Sequence, residues 1–98
     1  MNTNTTAQGI EFTRVSNDIN GSPRYVCHFL NLLSNDEQNE ISAKAKPFNA
    51  INDMYNEALL KAKKIGGKKF HNKKYGGGIV FQSYNINDTA KDVLSLLK

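Results

Sequence analysis

The run from Arg24 to Leu33 carries apolar side chains on both of its sides. Its β-branched and aromatic content suits an extended chain. In such a chain Tyr25, Cys27 and Phe29 leave one face, while Val26, His28, Leu30 and Leu32 leave the other. A strand that is largely apolar on both faces has to be covered on both, so this one is expected at the centre of a sheet. A partner strand precedes it, because Ile10-Glu11-Phe12-Thr13-Arg14-Val15 alternates. Ser16 to Pro23, between the two, is turn material, and its Asn20-Gly21 pair is a type I′ hairpin signal.

After Leu33 the period changes from two to that of a helix. Ser34-Asn35-Asp36-Glu37 matches a capping box, in which serine oxygen and glutamate satisfy reciprocal orphan amides. A short helix to about Ala45 follows, with only Ile41, Ala43 and Ala45 as its apolar stripe, and Pro47 stops it. Asn49 is the expected N-cap of a stronger helix from Ala50 to Ile65, where Ile51, Met54, Tyr55, Ala58, Leu59, Ala62 and Ile65 fall at helical spacing. Lysines in its last turns suit the helix dipole, and Gly66 suits the left-handed position beyond its end. Gly78 to Tyr84 reads as another strand, and Asn85 or Asn87 caps a final helix with Ala90, Val93, Leu94 and Leu97 on one face. Lys68–Phe70 and Lys73–Tyr75 can also pair around His71-Asn72 as a small lysine-rich hairpin.

The expected fold is therefore α+β: a small antiparallel sheet packed with two or three helices, in the order β-β-(α)-α-β-α. Ninety-eight residues supply one core and not two. Residues 1–8, mostly polar and featureless, are expected as a disordered terminus, and residues 9–98 as a single domain.

Charge is distributed unevenly. Of 13 basic residues, seven lie between Ala58 and Asn87, a stretch without any of the nine acidic residues. That stretch is +7, and the rest of the chain is six minus nine, or −3. Lysine clustered in this way attracts polyanions or an acidic protein surface. Glycines around it let backbone amides approach an anion closely. Phe70 and Tyr75 interleave with lysine pairs and can stack on exposed bases, each contact being worth about 1–3 kcal/mol. Arginine, the usual reader of guanine edges, is absent from the stretch, so contact with nucleic acid is expected to be weakly sequence-specific. The candidate contact residues are Lys61, Lys63, Lys64, Lys68, Lys69, Phe70, His71, Lys73, Lys74 and Tyr75. The plainer reading of the same residues is a solvated loop whose lysines maintain solubility and whose aromatics tuck into the core. Tyr25, Gln82 and Tyr84 would form a second, polar-aromatic platform if they share a sheet face.

Nothing in the chain spells a reaction. Lys74-Tyr75-Gly76-Gly77-Gly78 leads into a strand, whereas a phosphate loop leaves a strand and opens a helix. Cys27 and His28 leave an extended chain on opposite faces and cannot form a nucleophile–base dyad. One cysteine and two histidines at these spacings match no zinc pattern. Asp36, Glu37, Glu40, Asp88 and Asp92 sit at helix starts, where the dipole favours them. Glu57 and Lys61 are an i,i+4 ion pair. The expectation is a non-enzymatic protein with no catalytic residue, metal or cofactor. A single cysteine cannot form an internal disulfide, the first residues carry no signal-peptide pattern, and no apolar run approaches a membrane span. The cytoplasm is the expected compartment, a host's if the chain is virus-encoded.

The block Gly66-Gly67-Lys68-Lys69-Phe70 with Tyr75-Gly76-Gly77-Gly78-Ile79-Val80-Phe81-Gln82-Ser83-Tyr84-Asn85 resembles segments of small proteins encoded by phages and plasmids. The resemblance implies a mobile-element origin and roles such as nucleic-acid handling or inhibition of host defence, and it supplies no site residues. The function expected is thus a small binding module that contacts nucleic acid or a nucleoprotein. The alternative is an anti-CRISPR-like inhibitor that binds a host defence complex through protein–protein contacts.

Overall fold

The computed structural model describes residues 3–70 and 77–97. Five strands, β1 (Thr3–Ala7), β2 (Ile10–Val15), β3 (Arg24–His28), β4 (Lys68–Phe70) and β5 (Gly78–Gln82), form one antiparallel sheet in the order β1-β2-β3-β5-β4. Three helices, α1 (Asn35–Lys44), α2 (Pro47–Lys63) and α3 (Ile86–Leu96), complete an α+β fold. β3 lies at the middle of the sheet, as its two apolar faces require. It pairs with β5 through Cys27↔Ile79 and Tyr25↔Phe81.

The amino end departs from the sequence reading. Thr3–Ala7 is a strand, paired with β2 from Thr3↔Arg14 to Ala7↔Ile10. Gln8 and Gly9 join the two with φ of 52° and 81°. Two central residues at positive φ are the mark of a type I′ turn, whose twist matches that of the strands it connects. The I′ turn is therefore here and not at Asn20-Gly21. The Ser16–Pro23 segment is instead a loop organised by one side chain. The Asp18 carboxylate accepts from the amides of Asn20 and Ser22, at 2.9 and 2.8 Å, and also from the Gln82 side chain.

β3 is shorter than its apolar run. Beyond His28 the chain enters a 3-10 turn, Phe29–Leu32, in which Phe29 and Leu32 are both buried. The Phe29 amide donates to the Gly77 carbonyl at 3.1 Å, so the strand is diverted where β5 begins.

Ser34 caps α1 in the expected box, accepting from the Glu37 amide at 3.2 Å while the Glu37 carboxylate accepts from the Ser34 amide at 3.1 Å. α2 starts earlier than Asn49. Pro47 is its first residue, where a missing N–H costs nothing because that amide has no helical partner. Gly66, at φ 88°, ends the helix in the left-handed conformation. Asn85 caps α3, its side chain accepting from the Asn87 amide.

Register and alternation assign the faces. Ala7, Ile10, Phe12, Cys27, Ile79 and Phe81 point to the helical side, where they meet Met54, Tyr55, Ala58 and Ala62 of α2 and Ala90 and Val93 of α3. Phe12, Phe81, Leu32, Ile79 and Val93 are fully buried, each contributing about 1.5–3 kcal/mol by removal from water. Ala58, Ala62 and Gly67 are small because α2 lies close to the sheet. A Cβ on Gly67 would sit 2.7 Å from both the Ala62 Cβ and the Phe81 ring. The opposite face bears a shorter apolar row, Val15, Val26 and Val80 with Phe70 packed against it.

Candidate nucleic-acid interface

The basic stretch is distributed over several surfaces. Lys61, on α2, is taken up by α1: its ammonium pairs with the Glu37 carboxylate, and both side chains are largely covered. The expected Glu57–Lys61 pair does not form. Burial pushes the Glu37 carboxyl up, but Lys61 and the Ser34 cap outweigh it and hold the group below the usual carboxylate range. Lys63 and Lys64 are exposed at the carboxyl end of α2. Lys68 and Lys69 are successive residues of the edge strand β4 and so point to opposite faces. Lys69 faces the helical side, with its ammonium 5.8 Å from the centre of the Tyr55 ring. Lys68, opposite Val80, lies on the open side. β4 pairs with β5. The other arm expected of a lysine-rich hairpin, Lys73–Tyr75, lies outside the described residues, as do His71 and Lys74.

The β4–β5 pair is held from within the core. The Tyr55 hydroxyl, buried, donates to the Gly78 carbonyl at 3.0 Å and is hydrogen-bonded by the Phe70 amide. Burial raises the phenol above its ordinary value, partly offset by the Phe70 amide. The Tyr55 ring meets Phe29 edge-on, at 5.4 Å and 87°.

No described helix packs on the open side of β3, β5 and β4. There Arg24, Val26 and His28 of β3 lie beside Gln82, Val80 and Gly78 of β5, and Lys68 and Phe70 of β4 follow. These three strands contain no carboxylate. Arg24 is positioned by hydrogen bonds to the Ser16 carbonyl (2.8 Å) and hydroxyl (3.2 Å). A hollow of about 330 Å³ at one end is lined by Asp18, Ile19, Arg24, Lys68, Val80 and Gln82 among others. A second, of about 320 Å³, lies near His28 and is lined by Glu11, Thr13, Val26 and Asn31. Asp18 is the acid at the first rim, and its oxygens are occupied by loop amides and Gln82. Charge, an aromatic ring and a shallow open surface coincide here.

The expected polar-aromatic platform does not assemble. Tyr25 faces the helical side beneath the Arg14 guanidinium, which is 5.6 Å from the ring centre. Gln82 is on the open face, and Tyr84 lies beyond β5, exposed, with its hydroxyl 3.1 Å from the Ser22 hydroxyl. Arg24 and Ile19 are the surface residues that sequence reasoning missed. Arg24 falls outside the lysine-rich stretch and joins it only through the β3–β5 pairing.

Cys27 and His28 leave β3 on opposite faces. Burial pushes the Cys27 thiol up to about 12, which leaves it a core hydrophobe and not a nucleophile. His28 is exposed, and its Nδ1 accepts from the Leu30 amide at 3.3 Å. Among the described residues no group of three or more His, Cys, Asp or Glu is placed to hold a metal, and no helix is long and apolar enough to cross a membrane.

One more surface stands out. Phe48 and Ile51, on the first turns of α2, are 81% and 63% exposed. With Phe29, Asn52, Tyr55, Lys69 and Gly77 they line a groove of about 370 Å³ on the helical side of the β4 edge.

Neither a curated protein nor a solved structure matches the chain. A protein family does, over residues 3–98, nearly its full length. The kinship with phage-encoded proteins expected from the 66–85 block thus holds for the chain as a whole, without singling out that block. On this match the chain belongs to the family described as Staphylococcus phage terminal repeat-encoded protein TreK.

Proposed function

We propose that this phage-family protein is a non-enzymatic binding module that engages single-stranded nucleic acid, free or within a nucleoprotein, on the open face of its sheet. The observation that carries the reading is the set Arg24, His28, Lys68 and Phe70 on three adjacent strands that contribute no carboxylate. Lys68 and Arg24 neutralise phosphates, Phe70 offers a ring to a base, and Lys63 and Lys64 extend the positive field beyond the β4 end. Lys61 is left out, because its charge is spent on Glu37. The host cell cytoplasm is where such a protein would meet its target.

The test is a fluorescence-anisotropy titration with labelled single- and double-stranded DNA and RNA at 50 and 200 mM salt, both concentrations being roughly those over which phosphate contacts are resolved. Four phosphate contacts to a single strand give a log–log salt slope of about −3. Micromolar binding at low salt that weakens on Arg24→Ala or Lys68→Ala supports the reading. No binding at low salt, or binding indifferent to both substitutions, refutes it.

The Phe48–Ile51 groove favours a second reading, an inhibitor that docks on a host protein. Exposed aromatic and aliphatic residues beside a covered floor are the usual anchor points of protein interfaces. A pull-down from nuclease-treated host lysate separates the two: a partner retained by the wild type and lost with Phe48→Ser supports inhibition.

A further inference from the structure

The two edges of the sheet are built differently. β4 is three residues long and presents Lys68 and Lys69, the combination by which natural sheets discourage strand addition. β1, at the other edge, is Thr3-Asn4-Thr5-Thr6-Ala7: five residues with no charge, no proline and strong β-formers. Nothing in its own strand protects it.

The outward-facing groups follow from the turn. In a two-residue I′ hairpin the flanking pair exchanges both backbone bonds, so Ala7 and Ile10 bond each other. Alternation then turns Thr5 and Thr3 inward to β2, and leaves the N–H and C=O of Asn4 and Thr6 directed away from the sheet. A two-fold axis through Thr5 brings Asn4 of one copy opposite Thr6 of the other, and their free groups exchange four hydrogen bonds. Thr5 meets Thr5 and Thr3 meets Ala7, with no like charges opposed. The same operation on β4 opposes lysines. α3 packs on β1 and keeps Leu94, Leu96 and Leu97 half-covered, so the axis also carries a second α3 to the same side.

We infer that β1 is a self-association edge, where a second copy of this chain adds antiparallel to make a ten-stranded sheet. The interface is isologous and closed, so it yields dimers and not fibres. Because the axis is normal to the sheet, both open faces lie on one side of the dimer.

The experiment is light scattering coupled to size exclusion, on the untagged chain from about 5 to 500 µM, with Thr6→Pro and Thr6→Lys. Both substitutions act on the outward edge and spare the β1–β2 ladder, and circular dichroism confirms that each variant is folded. The expected result is a mass that rises to that of two chains with concentration, and at least a tenfold weaker association in both folded variants. Hydrogen exchange at Asn4 and Thr6 slows with concentration in the wild type alone. A wild type that stays monomeric at 500 µM overturns the inference, and so does a dimer that survives Thr6→Lys. A dimer that fails to bind nucleic acid leaves this edge in place and refutes only the function proposed above.

Discussion

Replacing Tyr55 by Phe isolates what holds the β4–β5 pair to the core. The ring stays, and with it the edge-on contact to Phe29 and the Lys69 ammonium above the face. One oxygen is removed. Its loss removes the bond that it donates to the Gly78 carbonyl at 3.0 Å and its bond with the Phe70 amide. Those two backbone groups keep each other, because Phe70↔Gly78 is a hydrogen-bonded pair of the β4–β5 ladder. A side-chain bond of this kind contributes about 1 kcal/mol net. With an unfolding entropy of about 0.2 kcal/mol/K for a chain of this size, the expected drop in Tm is about 5 °C. Thermal unfolding followed by circular dichroism measures it, and faster amide exchange at Phe70 localises it to this strand end. Tyr84→Phe is the control: its hydroxyl also has a partner, but the residue is 85% exposed, and the change stays within about 0.5 kcal/mol. A Tyr55→Phe protein that melts within about 2 °C of wild type, with Phe70 exchange unchanged, would refute the clamp.

Gly67→Ala places a methyl 2.7 Å from both the Ala62 Cβ and the Phe81 ring, and is expected to cost about 1–3 kcal/mol by overpacking, read as a lower urea midpoint with an unchanged slope. Glu37 has a lowered folded-state pKa, so its contribution is present above the ordinary carboxylate range and is lost as pH falls through the folded value. Glu37→Gln should therefore be about 1 kcal/mol less stable than wild type at pH 7, and urea titrations below about pH 4 should show the gap closing. A gap that is constant with pH would mean that the Lys61 pair contributes nothing.

What the sequence made legible was local. The Ser34–Glu37 box, the helical spacing of Met54, Tyr55, Ala58 and Ala62, the Gly66 stop and the Asn85 cap each lie within a turn or two of their own partners, and each is present. The central place of β3 followed from its two apolar faces. The misreadings concern competition between distant segments. Asn20-Gly21 has the better I′ composition, yet Asp18 captures that loop's amides, and the I′ turn falls to Gln8-Gly9, whose glutamine gives no signal. Residues 3–7 read as a loose end because four of the five are small polar side chains and their pairing comes from β2. The lysine-rich stretch looked like one patch in the chain, but strand alternation and Glu37 divide it. The candidate open-face site became visible only once Arg24 stood beside Gln82, fifty-eight positions later in the chain.

The same pairing governs the order in which the molecule can be made. β1, β2 and β3 join by short connections, as do β4 and β5, but the seam between β3 and β5 unites residues such as Cys27 and Ile79, 52 positions apart (79 − 27). Closing a loop of that length costs about 1.5 kcal/mol more than closing one of ten residues. The search that limits folding is therefore for this one seam, with two preformed hairpin halves waiting on either side of it and α1 and α2 forming the tether between them. On the ribosome, the edge of β3 stays unpaired until β5, residues 78–82, has emerged.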